Sequence, residues 1–173
     1  MADTALRSDL SFNFGEANVM IVDENVGFMD VMTQMLSGFG FRKFHRCQNL
    51  GDSLNVSQDV EPDLILVDPF PRPEEGMTFI EGLRARQPAE APPLVVIVMT
   101  GHTPRDLIEK ARKVGADYVV AKPFSPSTLL DRILWSAASP TGRGNWRRYE
   151  PLAFDPILAA AVDELLAVGY HGT

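Results

Sequence analysis

The stretch "LILVDPFPRPEEG", residues 64 to 76, decides how the chain is read. Four aliphatic residues, Leu64 to Val67, carry an aspartate to a stop at Asp68, and prolines follow at positions 69, 71 and 73. A strand that is apolar on both faces is covered on both faces. Proline then ends it, because proline donates no ladder hydrogen bond and holds φ fixed. The stretch reads as a buried central strand that delivers a carboxylate to a loop of preset shape.

Outward from it, short apolar runs alternate with longer amphipathic stretches, the pattern of βαβ units and a parallel sheet. The strand candidates are "NVMIV" (18–22), "RKFHR" (42–46), "LILV" (64–67), "LVVIVM" (94–99) and "YVVA" (118–121). The polar "RKFHR" suits an edge strand. Helices are expected over 26–38, 50–58, 75–86, 104–114 and 126–138, with Gly38, Gly40 and Gly115 near their ends. The fold class is therefore α/β, a doubly wound five-stranded parallel sheet. Ligands of such sheets bind beyond the carboxyl ends of the strands. Asp23 and Glu24, Asp68, Thr100 and Lys122 all fall at those ends.

Bulk properties narrow the function. With 173 residues, the chain has room for one domain and an appendage. A hydrophobic content of 45% with 23% charged residues suits a globular protein, and no apolar run is long enough to insert in a membrane. The net charge of −7 disfavours DNA as a partner. Residues 1–16 read as a mobile leader without the features of a secretory signal, and a single cysteine, Cys47, fits a structural role in a cytoplasmic, reducing compartment. After the domain at 17–138, a tail over 139–173 begins as a Gly/Pro/Arg-rich linker. It continues into one extra C-terminal amphipathic helix at about 155–168, which opens at Asp155-Pro156.

The strand-end residues define a chemistry. Mg²⁺ takes a few hard oxygen ligands and keeps several waters, which Asp23, Glu24 and Asp68 suit. Phosphoryl transfer needs charge stabilisation and positioning, which Lys122 and Thr100 supply, and a carboxylate such as Asp68 can itself be the nucleophile. A plainer role for Asp23 is to cap the helix that begins near Val26.

The acidic pair in "IVDEN", the aspartate of "LILVD" eight residues before Gly76, the threonine of "VMTG" and the "KPF" at 122–124 carry a resemblance. Over residues 17–138 the chain resembles the receiver domain of two-component response regulators. The resemblance implies a flavodoxin-like fold of strand order 2-1-3-4-5. It implies Asp68 as phosphoacceptor, Thr100 as switch hydroxyl and Lys122 as phosphoryl partner. Asp23, Glu24, Asp68 and the backbone carbonyl of Phe70 would hold Mg²⁺, and Pro123 would follow a cis peptide bond. It further implies a phosphoryl donor that is a histidine kinase or histidine phosphotransfer protein, and signalling to an unknown downstream protein by contact. Its chemistry would be limited to self-catalysed phosphoryl acceptance and loss. Homodimers would form through the face of helix four, strand five and helix five, or through the tail helix.

Two departures from the family pattern stand out. Pro71-Arg72 replaces the usual Met-Pro, and Val119 occupies the usual aromatic switch position, with Tyr118 one residue early and so on the opposite face. Elsewhere, His45 and His102 read as ordinary strand and loop residues, and Phe28, Met29, Met32 and Met35 as helix packing or a partner surface. The tail segment "RGNWRR", with Arg143, Arg147, Arg148 and Trp146, reads as a solvated basic turn. A rival reading makes it a site for a guanine dinucleotide such as cyclic di-GMP. The tail helix, through Leu158, Val162 and Leu165, would dock on the domain or pair two chains.

Overall fold

The structure, a computed structural model, describes residues 14–90, 94–102 and 104–138. Five strands and five α-helices alternate: β1 (Asn18–Val22), α1 (Val26–Gly38), β2 (Lys43–Cys47), α2 (Leu50–Asp59), β3 (Leu64–Val67), α3 (Pro73–Arg86), β4 (Val95–Thr100), α4 (Arg105–Lys113), β5 (Tyr118–Ala121) and α5 (Pro126–Ala138). All strand pairs are parallel, and the sheet order is β2-β1-β3-β4-β5. The most apolar strands, β3 and β4, lie inside, and the polar β2 lies at an edge. Every residue of β3 and β4 is buried. Each large aliphatic side chain removed from water contributes roughly 1.5–3 kcal/mol, so the run that opened the reading is also an anchor of the fold.

Alternation along the strands divides the core in two. One face packs Val19, Ile21, Leu64, Leu66 and Ile97 against Met29, Met32 and Leu36 of α1 and Leu129 and Ile133 of α5. The other packs Met20, Ile65, Val67, Val96 and Val98 against Phe79, Ile80 and Leu83 of α3 and Leu107 and Ala111 of α4. The methionines of α1 therefore serve the core: Met29 and Met32 are fully buried, and Met35 and Phe28 pack partly buried on the same cluster.

Several expected bounds are corrected. Phe14–Glu16, which fell within the expected leader, forms a 3₁₀ turn. Phe14 is buried there and stacks on Phe41 with ring centroids 4.4 Å apart. Helix α3 starts at Pro73, two residues before the expected start, because a proline at the first helical position has φ already set and no N–H to leave unpaired. Strands β2 and β4 each lie one residue later than expected, at Lys43–Cys47 and Val95–Thr100.

The loop from β3 to α3 is held at close quarters. A Cβ on Gly76 would stand 2.5 Å from Pro69 Cβ and 2.9 Å from Pro69 Cα, so only glycine lets the first turn of α3 lie over Pro69. At the amino ends of the strands, the half-buried Arg84 of α3 donates to the carbonyls of Gly115 and Leu94 at 2.9 and 2.7 Å and pairs with Asp117 at 2.8 Å. The catalytic-looking residues lie at the opposite ends.

Candidate functional site at the carboxyl ends of the strands

Backbone pairing brings the strand ends together. Asp23 N donates to Cys47 O at 3.1 Å, Asp68 N to Val22 O at 2.9 Å and Lys122 N to Thr100 O at 2.8 Å. Lys122, just past β5, then reaches back across the sheet. Its Nζ donates to Asp23 Oδ2 at 2.5 Å and to Asp68 Oδ2 at 2.7 Å. The three side chains are only 18%, 5% and 14% exposed, so the ammonium and both carboxylates interact with little screening by water. The Lys122 Nζ also lies 3.8 Å from the centre of the Phe28 ring, which meets Phe124 edge-on with centroids 6.2 Å apart. That cation–π contact was not legible in the sequence, where Phe28 carried only a packing or partner role. The peptide bond from Lys122 to Pro123 is cis, and so is that from Phe70 to Pro71.

The remaining carboxylate oxygens are turned to the backbone. Asp23 Oδ1 accepts from Asn25 N at 2.8 Å, and Asp68 Oδ1 accepts from Phe70 N at 3.0 Å. Asn25, rather than Asp23, caps α1, its Oδ1 accepting from Phe28 N at 3.0 Å. Asp23 is thereby left to the site.

Glu24 is exposed and lines the same cleft as the other two acids. Among the described residues no group of three or more His, Cys, Asp or Glu side chains is gathered as a metal cluster. The donor chemistry nevertheless fits a small hard cation. Asp23 and Asp68 already share one positive charge at 2.5 and 2.7 Å, each oxygen keeps a lone pair, and Mg²⁺ asks for only one or two carboxylates with water completing its shell.

Thr100 is fully buried, and its hydroxyl is occupied by its own loop, donating to His102 O at 2.8 Å and accepting from His102 N at 3.0 Å. The His102 ring lies 4.9 Å from that of Phe70, so His102 is a neighbour of the site rather than an unrelated loop residue. Val119 packs on the face covered by α3 and α4, whereas Tyr118 packs on the face of α1 and α5, with the Arg132 guanidinium 5.6 Å from its ring. Burial raises the Tyr118 phenol above its usual range and Asp117 adds to the rise, while Arg132 opposes it. Cys47 is buried, and its thiol is pushed up by burial first and by Asp52 second. His45 Nε2 is buried with no hydrogen-bond partner among the described residues.

A cleft of about 470 Å³ opens beside the acids, between the turns that follow β1, β2 and β3. Asp23, Glu24, Asp68 and Glu75 give it negative charge, and Arg72 is the one cation among the described residues that line it. The basic tail segment and the tail helix lie outside the described residues.

A five-stranded parallel sheet of order β2-β1-β3-β4-β5, with an acid pair and a lysine in contact at its carboxyl edge, is the arrangement the receiver resemblance leads one to expect. The chain belongs to the response regulator receiver domain family, whose model matches residues 19–134. It is 28% identical over 115 residues to sporulation initiation phosphotransferase F of Bacillus subtilis, an alignment that takes in 66% of this chain and 89% of that protein. Longer curated relatives also match, and the chain spans about half of their length, 54–56%. Among solved structures, a response regulator from Thermotoga maritima superposes with a TM-score of 0.62 and 28% identity, covering 71% of this chain and 98% of that one. A response regulator protein from Burkholderia pseudomallei, described as carrying a phosphorylated aspartic acid, calcium ion and citrate, superposes with a TM-score of 0.59 and 23% identity, covering 88% of this chain and 85% of that one. No helix among the described residues is long and apolar enough to cross a membrane.

Proposed function

We propose that the chain accepts a phosphoryl group on Asp68 from a histidine kinase or histidine phosphotransfer protein and signals through protein–protein contacts. The carrying observation is the placement of Lys122 Nζ between Asp23 and Asp68, at 2.5 and 2.7 Å, beyond the carboxyl ends of β5, β1 and β3. The family and the sporulation phosphotransferase relative support this reading. It makes the domain a signalling acceptor rather than an enzyme with turnover on a separate substrate.

Charge explains why a metal is needed. Asp23, Asp68 and Lys122 sum to one negative charge, and Glu24 brings a second to the same rim, so an anionic donor is repelled until a divalent cation binds. Asp23 and Asp68 with the Phe70 carbonyl would hold Mg²⁺, and Glu24 would join by a side-chain rotation or through water. When bound, the ion neutralises charge on the phosphoryl oxygens as they pass between donor and acceptor. The protein's own part is to aim Asp68. Its Oδ–P bond forms as the donor's P–N bond breaks, and the leaving imidazole keeps the bonding pair and takes up a proton from solvent. Lys122 then exchanges one carboxylate partner for a phosphoryl oxygen.

For Thr100 to donate to that phosphoryl group, its hydroxyl must give up its bond to His102 O, which couples phosphorylation to the turn before α4. With Val119 on that side of the sheet, the rearrangement would be read by a partner, or a second copy, on the face of α4, β5 and α5.

The test is intact-protein mass measurement after incubation with acetyl phosphate and Mg²⁺. A single phosphoryl addition that disappears in Asp68→Asn and in EDTA is expected; equal labelling of Asp68→Asn would refute the assignment.

A further inference from the structure

We infer that Arg72 is a donor-contact residue: its guanidinium meets the incoming phosphoryl group at the mouth of the acidic cleft and offsets the repulsion of Asp23, Glu24 and Asp68. The inference rests on phosphorylation of Asp68 and adds a residue to it. Three observations carry it.

The first is location and charge. Arg72 lines the same cleft as the three acids, and every other charged side chain among the described residues that line it is negative. An anion approaching Asp68 therefore meets one cation on that rim. Lys122 does not replace it, since both of its carboxylate partners are already in contact and it lies only 18% exposed.

The second is availability. The Arg72 side chain is 70% exposed, and its recorded partner, Glu75 at 3.4 Å, is a solvent-facing pair one turn away. Such solvent-facing pairs contribute little and are easily exchanged. The fork can leave Glu75 for a phosphoryl oxygen, with which guanidinium makes two parallel charge-assisted bonds.

The third is a fixed base for the side chain. Arg72 sits between Pro71 and Pro73, its carbonyl accepts from Gly76 N at 3.0 Å, and Phe70 N is held by Asp68 Oδ1 at 3.0 Å. Buried Pro69 lies under Gly76. The loop that carries Arg72 is thus pinned at both ends, so the side chain starts from a fixed base on the rim of the cleft that Asp68 also lines.

The experiment follows labelling of the full chain by acetyl phosphate with Mg²⁺, over ionic strengths from low to high. It compares wild type, Arg72→Gln, Arg72→Lys and Glu75→Gln. Arg72 is exposed, so folding should be preserved, and thermal melts check it. Arg72→Gln is expected to lower the apparent second-order labelling rate about three- to tenfold at low salt, the scale of one solvent-facing charge-assisted contact. It should also flatten the salt dependence. Arg72→Lys should recover part of the loss, and Glu75→Gln, which releases the fork and removes a negative charge, should label faster than wild type. Wild-type labelling with an Arg72→Gln rate and salt slope equal to it overturns the inference while leaving the proposed function standing. No labelling of wild type overturns both.

Discussion

Gly76→Ala tests whether the approach of α3 to Pro69 holds the acceptor loop in place. The added Cβ would sit 2.5 Å from Pro69 Cβ and 2.9 Å from its Cα, so bringing the first distance to an ordinary 3.4 Å takes a displacement of about 0.9 Å. Neither Pro69 atom is the end of a flexible side chain, so the backbone must give. Two effects on stability oppose each other. Overpacking of this kind costs about 1–3 kcal/mol, while replacing glycine by alanine inside a helix returns up to about 1 kcal/mol. The net loss should be about 1 kcal/mol, visible in urea unfolding.

Phosphorylation should fall much further. Pro69 follows Asp68 directly, and a misplacement of about 1 Å at a reacting group can cost on the order of a hundredfold in rate. Gly82→Ala in the same helix is the control, because its Cβ would meet only the tip of Arg86, at 3.6 Å. That variant should gain about 0.5–1 kcal/mol and label normally. If Gly76→Ala is as stable as Gly82→Ala and labels at the wild-type rate, the packing argument is wrong.

Lys122→Met leaves two little-exposed carboxylates without their shared cation. It should lose about 3 kcal/mol in urea unfolding in EDTA. Mg²⁺ should restore more stability to that variant than it adds to wild type, and equal increments would count against Asp23 and Asp68 as the metal's acids. Cys47 should resist alkylation at pH 8 in the folded protein and react readily in urea, because burial disfavours its thiolate. Its folded pKa is raised, so above the ordinary value near 9.0 the unfolded chain gives up this proton first, and the stability tied to Cys47 falls as pH rises through that window. Melts from pH 8 to 10 should show this extra loss in wild type and not in Cys47→Ala. Phe14→Ala should cost about 3 kcal/mol by emptying the stack on Phe41. An unchanged melting temperature would refute a core role for Phe14.

The site was legible at the level of its strand ends, because a parallel α/β sheet collects its ligands there whatever its details. Asp23, Asp68 and Lys122 do meet, and Thr100 lies on the neighbouring strand as expected. Glu24 lines the same cleft but is exposed where Asp23 is buried, since adjacent residues leaving a strand point in different directions. Phe28 over Lys122 and His102 beside Phe70 were hidden for the opposite reason. They are 94 and 32 residues from their partners, and no local pattern records such contacts.

What the sequence determined by itself was the set of elements and which strands lie inside. Aliphatic runs can be satisfied only under two layers of helix, and the polar "RKFHR" only at an edge. The tertiary structure alone decided the state of the functional groups. It placed one ammonium between two carboxylates, turned the Thr100 hydroxyl onto the His102 backbone, assigned the α1 cap to Asn25, and left Arg72 on the rim of the cleft. Each of these is a choice among partners that are equally reachable along the chain, and packing makes that choice.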